Sequence, residues 1–195
     1  MPLKEINIDE VTYFDLNNQV NIPKNNQIQL DKDQEALDAF LKENVWPNVL
    51  KFDSLAQRFD WLFDNQFIER EFIAQYDLSF IEKLYAYLEG EHFNFKSFMA
   101  AFKFYNQYAL KTNDGQYYVE TYVDRVAMNA LYYANGQESL ALKLADEMIH
   151  QRYQPATPSF LNAGRARRGE LVSCFIIQTS DDMNSIGRTI NSALQ

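Results

Sequence analysis

Apolar residues recur at intervals of three and four along most of this chain, the signature of amphipathic helices. Ala36, Leu37, Phe40 and Leu41 share one face of a helix that Asp31 is placed to cap. Trp46-Pro47 ends it, because a residue before proline is driven out of the helical region. Ser54 opens the next helix, with Leu55, Phe59 and Leu62 inward. Two more are expected at 69–76 and 77–88, the second carrying Phe80, Ile81, Leu84, Tyr85 and Leu88 and stopped by Gly90. The pattern repeats over 96–105 through Phe98, Met99, Phe102 and Tyr105, then over 122–135 before Gly136, and again over 138–151.

Other segments break this rhythm. Residues 1–30, rich in Asn and Gln, read as an extended arm with one short helix near 9–18. QYALKTNDGQYYV, 107–119, places Asp114-Gly115 between runs of Tyr, Thr and Val, a hairpin signal. QPATPSFLNAGRARRG, 154–169, reads as an ordered loop. LVSCFIIQ, 171–178, is apolar on both faces, as in a strand covered on both sides. A last helix follows, capped by Asp181 or Asp182, with Met183, Ile186, Ile190, Ala193 and Leu194 on one stripe. The expected divisions are an arm at 1–30, a helical domain at 31–152 and a different unit at 153–195. A single buried strand lacks a ladder partner nearby, and each dehydrated, unpaired backbone group costs about 1–3 kcal/mol. The 107–119 hairpin is half-exposed by its pattern, and the last helix ends without glycine, asparagine or a charged final turn. Both features lead to the expectation of a chain cut from something longer.

Composition narrows the function classes. A 47% hydrophobic and 15% aromatic content is enough for a core. A net charge of −9 argues against duplex nucleic acid as a partner. Neither a transmembrane run nor a signal-peptide core is found, and one cysteine forbids an internal disulfide, so a cytoplasmic protein is expected. His92 and His150 stand too far apart for a zinc motif, so no metal site is expected.

The candidate chemistry lies late in the chain. Cys174 reads either as a small buried core residue or as a redox or nucleophilic thiol. Thr157-Pro158-Ser159 could present hydroxyls and amides to a phosphate, or form a rigid connector. Arg165, Arg167 and Arg168 could grip an anion, although pairing with acidic neighbours is the plainer reading. In 179–185, which starts the last helix, Thr179, Ser180, Asp181 and Asp182 supply two hydroxyls and two carboxylates, more than a cap needs; helix N-termini bind phosphates and a carboxylate can hold a ribose hydroxyl. The aromatic stripes, such as Phe59, Trp61 and Phe63, read as core. P-loop, GxGxxG and HExxH motifs are absent from the sequence.

QPATPSFLNAG, RRGELVSCF and DDMNSIGRTINSALQ closely resemble the large (alpha) subunit of class I ribonucleotide reductase, of class Ib type. FKFYNQYALKTNDGQYYVETYVDRVAM and FDSLAQRFDWLFDN resemble the N-terminal helical domain of that subunit. The resemblance implies a mainly α chain: a helical domain, then the first strand and helix of a ten-stranded α/β barrel. It implies reduction of ribonucleotides to deoxyribonucleotides, with a thiyl radical abstracting the 3′ hydrogen and a cysteine pair supplying the electrons. Cys174 matches the first thiol of that pair. Thr157 and Ser173 match positions that contact the substrate diphosphate or ribose, and Asp181 matches the region of the nucleoside triphosphate effector site. The implied partners are a radical-generating small (beta) subunit, a second alpha subunit, a nucleoside diphosphate and a glutaredoxin- or thioredoxin-like dithiol, with no nucleic acid and no membrane. The metal is expected in the small subunit and no cofactor in this chain. The radical-forming cysteine, the partner cysteine and the C-terminal shuttle cysteines are not among these residues, so the polypeptide alone is expected to be inactive. The alternatives are a non-enzymatic helical interaction or nucleotide-binding module and, less favoured, an enzyme using Cys174 alone.

Overall fold

A computed structural model describes residues 11–174 and 176–194. Residues 1–10 of the expected arm and Phe175 of the expected strand lie outside the described residues. The helices are α1 (Tyr13–Gln19), α2 (Leu30–Phe40), α3 (Leu55–Asp64), α4 (Arg70–Ile73), α5 (Leu78–Gly90), α6 (Phe98–Lys103), α7 (Tyr122–Ala134), α8 (Glu138–Ile149), α9 (Thr157–Asn162) and α10 (Met183–Leu194). A π-helical turn extends α2 over Leu41–Val45, followed by a 3-10 turn at Trp46–Asn48, and another π-helical turn extends α6 over Phe104–Tyr108.

Helix α7 is the centre of the body and packs on α4, α5 and α8. Val126, Ala127, Ala130, Leu131 and Ala134 are fully buried, as are Ala141 and Ala145 of α8. Small side chains on both faces let these two helices approach closely, where dispersion contacts are densest. At the other end Tyr13 and Phe14 of α1 pack edge-on or tilted against Phe40, Phe98 and Phe102, with ring centroids 5.3–6.0 Å apart. The short helix expected in the arm is therefore part of the core wall.

Local chemistry sets the helix starts. Thr12 with Asp15 and Thr121 with Asp124 form capping boxes, while the hydroxyls of Ser54 and Ser97 accept from Gln57 N–H and Ala100 N–H. Asp31 does not cap α2, which begins one residue before it. The Gln29 backbone N–H donates to Val20 O and its side chain to Gln19 O and Ile22 O, so the preceding turn is already fixed and the helix starts at Leu30. The expected 69–76 helix is shorter, because Tyr76 leaves it to anchor α7: its hydroxyl donates to Leu131 O and accepts from Gly136 N–H, both at 2.8 Å. Asn135 and Gly136 take the left-handed conformation that ends α7 (φ 46° and 84°).

The 107–119 hairpin forms as two bonded steps rather than a regular strand pair. Thr112 N–H donates to Tyr117 O at 2.9 Å and Val119 N–H to Leu110 O at 2.7 Å, around a turn at Gly115 (φ 72°). Tyr118 bonds on its other side to Asn48 and Leu50.

No strand occurs among the described residues; the pairings are isolated bridges. The described residues of the expected strand at 171–178 are irregular, with Val172 72% and Ile176 99% exposed. A strand needs a neighbour to take its N–H and C=O groups, and none lies beside this segment among the described residues. The expected loop at 154–169 instead contains α9, whose Pro158 sits in the first turn, where a missing N–H costs nothing.

Candidate functional site at residues 157–174

A buried ionic cluster ties the late segment to the helical body. Glu120 is 2% exposed and Arg125 is fully buried. The Arg125 guanidinium donates to Glu120 Oε1 at 3.1 Å and to Ala163 O; the Arg165 guanidinium donates to Glu120 Oε2 at 2.9 Å and to Tyr108 O. Leu110 N–H is a further donor to Glu120 Oε2, at 3.1 Å. Burial alone would raise the Glu120 carboxyl pKa, but the two guanidiniums and this N–H together hold it below the ordinary value. Burial pushes the Arg125 pKa down, against the pull of Glu120. Beside this cluster Asp124 serves twice: one oxygen closes the α7 capping box and the other pairs with Arg58, which also donates to Val119 O at 3.0 Å.

The backbone of 163–166 is fastened as well. Glu69 N–H donates to Gly164 O at 3.0 Å and Ala166 N–H to Phe67 O at 3.1 Å. Gly164 has φ 72°, and a Cβ there would lie 2.7 Å from the Phe72 ring, so only glycine fits. Arg168 pairs with Glu69 at 3.0 Å and Arg167 donates to Gln66 at 3.1 Å. The three arginines therefore serve as partners for acidic and amide groups of the body, the plainer of the two sequence readings.

The predicted site residues are held unequally. Thr157 opens α9, with its hydroxyl 3.2 Å from the Tyr108 hydroxyl, at a cleft of about 300 Å³ lined by Phe95, Lys103, Phe104, Tyr122, Gln154 and Phe160 among others. Ser173 and Cys174 are exposed beyond the fastened segment, so the buried reading of Cys174 is corrected: among the described residues no ladder covers it. Asp181 is exposed, and it is Asp182 that caps α10, accepting from Ser185 N–H at 2.8 Å. Among the described residues these four are not gathered into one pocket. Sequence reading missed Glu120, Arg125 and Asn129 as a buried set. Their signal was charge and amide at 124, 125 and 129 within the otherwise apolar α7, with Glu120 just before its N-cap Thr121.

Comparison with known proteins meets this geometry directly. Residues 13–93 match the family described as ribonucleotide reductase N-terminal, and residues 94–168 match the ribonucleotide reductase all-alpha domain, so the two run without a gap from α1 to the arginine loop. This chain belongs to the ribonucleotide reductase family. Over 183 residues, 94% of its length, it is 44% identical to the ribonucleoside-diphosphate reductase subunit alpha of Bacillus subtilis (strain 168), covering 26% of that protein. It is 46% identical over 163 residues to the subunit alpha of Mycoplasma pneumoniae, covering 23% of it, and 43% identical over 183 residues to the NrdEB subunit alpha of Bacillus phage SPbeta, covering 17%. The chain thus spans about a quarter or less of the reductase subunits it matches. The all-alpha match ends at Arg168, a few residues before the exposed segment of the ribonucleotide reductase chain that bears Ser173 and Cys174.

Proposed function

We propose that this chain supplies the N-terminal helical part of a class Ib ribonucleoside-diphosphate reductase alpha subunit, with residues 171–178 as the first strand of its catalytic barrel. The observation that carries the reading is the position of the lone cysteine, exposed only a few residues after a rigidly anchored segment. A thiol so placed is free to meet a second thiol, which needs Cα atoms roughly 4.4–6.8 Å apart. In the reaction, Cys174 and a second cysteine from elsewhere in the subunit give up two hydrogens and join as a disulfide. The ribose loses its 2′ hydroxyl as water and gains hydrogen at C2′, after a thiyl radical has drawn off the 3′ hydrogen, which is later returned. A glutaredoxin- or thioredoxin-like dithiol restores the two thiols. Thr157 and Ser173 contact the nucleoside diphosphate, and Asp181 lies toward the nucleoside triphosphate effector. The partners are the radical-generating beta subunit and a second alpha subunit, in the cytoplasm.

The test is Cys174→Ser in the complete alpha subunit, assayed for deoxynucleotide formation with its beta subunit and a protein dithiol. Loss of multiple turnover is expected, and residues 1–195 alone should give none. Undiminished turnover by the variant rejects the assignment of Cys174. Failure of the wild-type assembly to reduce any ribonucleotide rejects the reductase reading.

A further inference from the structure

Helix α9 touches both halves of the proposed site. Its first residue is Thr157, seated against Tyr108. Ser159 and Asn162 stand three residues apart, on one face. Ser159 Oγ donates to Leu171 O at 2.9 Å. Asn162 uses both ends of its amide: Nδ2 donates to Glu170 O at 2.9 Å, and Oδ1 accepts from Gly169 N–H at 3.3 Å. Three consecutive backbone units are thus gripped by two side chains. The approach is close, since a Cβ at Gly169 would lie 3.4 Å from Asn162 Nδ2. These contacts are the last between the helical body and the chain before Cys174 among the described residues.

We propose that Ser159 and Asn162 are positioning residues that set Cys174 relative to Thr157. The inference rests on the reductase reading. Thr157 stands on the clamp helix and Cys174 three residues beyond the gripped strand of backbone. The same short helix therefore gauges the separation between the group that holds the substrate diphosphate and the thiol that delivers electrons. Loosening the clamp leaves Thr157 seated by Tyr108 while Ser173 and Cys174 lose their reference point together, so turnover suffers more than binding.

The complete alpha subunit, with its beta subunit, nucleoside diphosphate and dithiol protein, provides the test. Asn162→Ala and Ser159→Ala are each expected to lower kcat about ten- to a hundredfold, the scale of a roughly 1 Å misplacement, with a clearly smaller rise in KM through Ser173. Ser159→Thr, which keeps the hydroxyl, should restore kcat, and Thr157→Ala should raise KM instead. Both alanine variants keeping wild-type kcat, or KM rising by as large a factor as kcat falls, overturns the proposal. A second readout needs no activity: in the 195-residue chain, exchange of the Gly169 amide should quicken about tenfold in Asn162→Ala, the worth of one net hydrogen bond. Equal exchange in both proteins also overturns it. A wild-type assembly without reductase activity counts against the reductase reading, while the exchange result still judges the clamp.

Discussion

Phe40 and Ile176 both lie in apolar stretches, yet Phe40 is 2% exposed and Ile176 is 99% exposed. The helical body satisfies its own backbone within each helix, so its only remaining need is to cover one apolar face per helix. Neighbouring helices do that, as Phe98 and Tyr13 do for Phe40. The 171–178 segment has the opposite requirement. A β-segment must borrow hydrogen-bond partners from another strand before its side chains can be covered. Val172 and Ile176 therefore stand uncovered although their hydrophobicity equals that of the core.

The largest expected effect lies in the body. Glu120→Gln leaves Arg125 and Arg165 facing a neutral amide in a buried site, and removing one partner of such a cluster costs about 3–5 kcal/mol. Chemical denaturation checks it; a loss under about 1 kcal/mol means the cluster is weaker than its burial suggests. The same group makes stability pH-dependent. Its folded-state pKa lies below the ordinary 4.5, so its contribution is present above pH 4.5 and fades as pH falls through the folded value. The Glu120→Gln variant should show a shallower loss of stability on acidification than the parent.

A smaller loss is expected at Tyr76. Phenylalanine there strips a partner from both Leu131 O and Gly136 N–H, for about 1–3 kcal/mol in a thermal melt. The smallest effect is expected in the exposed segment: Ile176→Ala should change stability by less than about 0.5 kcal/mol. A loss comparable to that of a core isoleucine would mean that the segment is covered in solution and would erase the contrast drawn above. Amide exchange sharpens the same contrast, with 171–177 expected to exchange rapidly and the α7 amides slowly.

Much of the body was legible in the sequence. Leu84 and Leu88 of α5 and Leu131 of α7 are buried as their spacing requires, and Ser54 caps α3. The departures have local causes. Asp31 lost its capping role to a turn stapled by Gln29, a contact between residues far enough apart that no motif announces it. Helix α9 was read as a loop because Pro155, Pro158 and the small residues around them mask a short helix. The candidate site was legible as residue types and not as an arrangement. Thr157, Ser173, Cys174 and Asp181 were chosen by chemistry and by family resemblance, whereas Glu120, Arg125 and Asn162, which hold the segment, were passed over, and Ser159 was read as a phosphate contact or connector rather than as a clamp.

The amino-acid order by itself determined where helices run, which faces turn inward and where the single thiol falls, because those properties depend on neighbours within one or two turns. Only the tertiary structure decided which charges are buried together and which backbone carbonyls receive the clamp. Glu120 and Arg165 are 45 residues apart in sequence and 2.9 Å apart in space. A carboxylate's partner at that separation is selected by the packing of α7 against the late segment, and no short-range pattern carries that information.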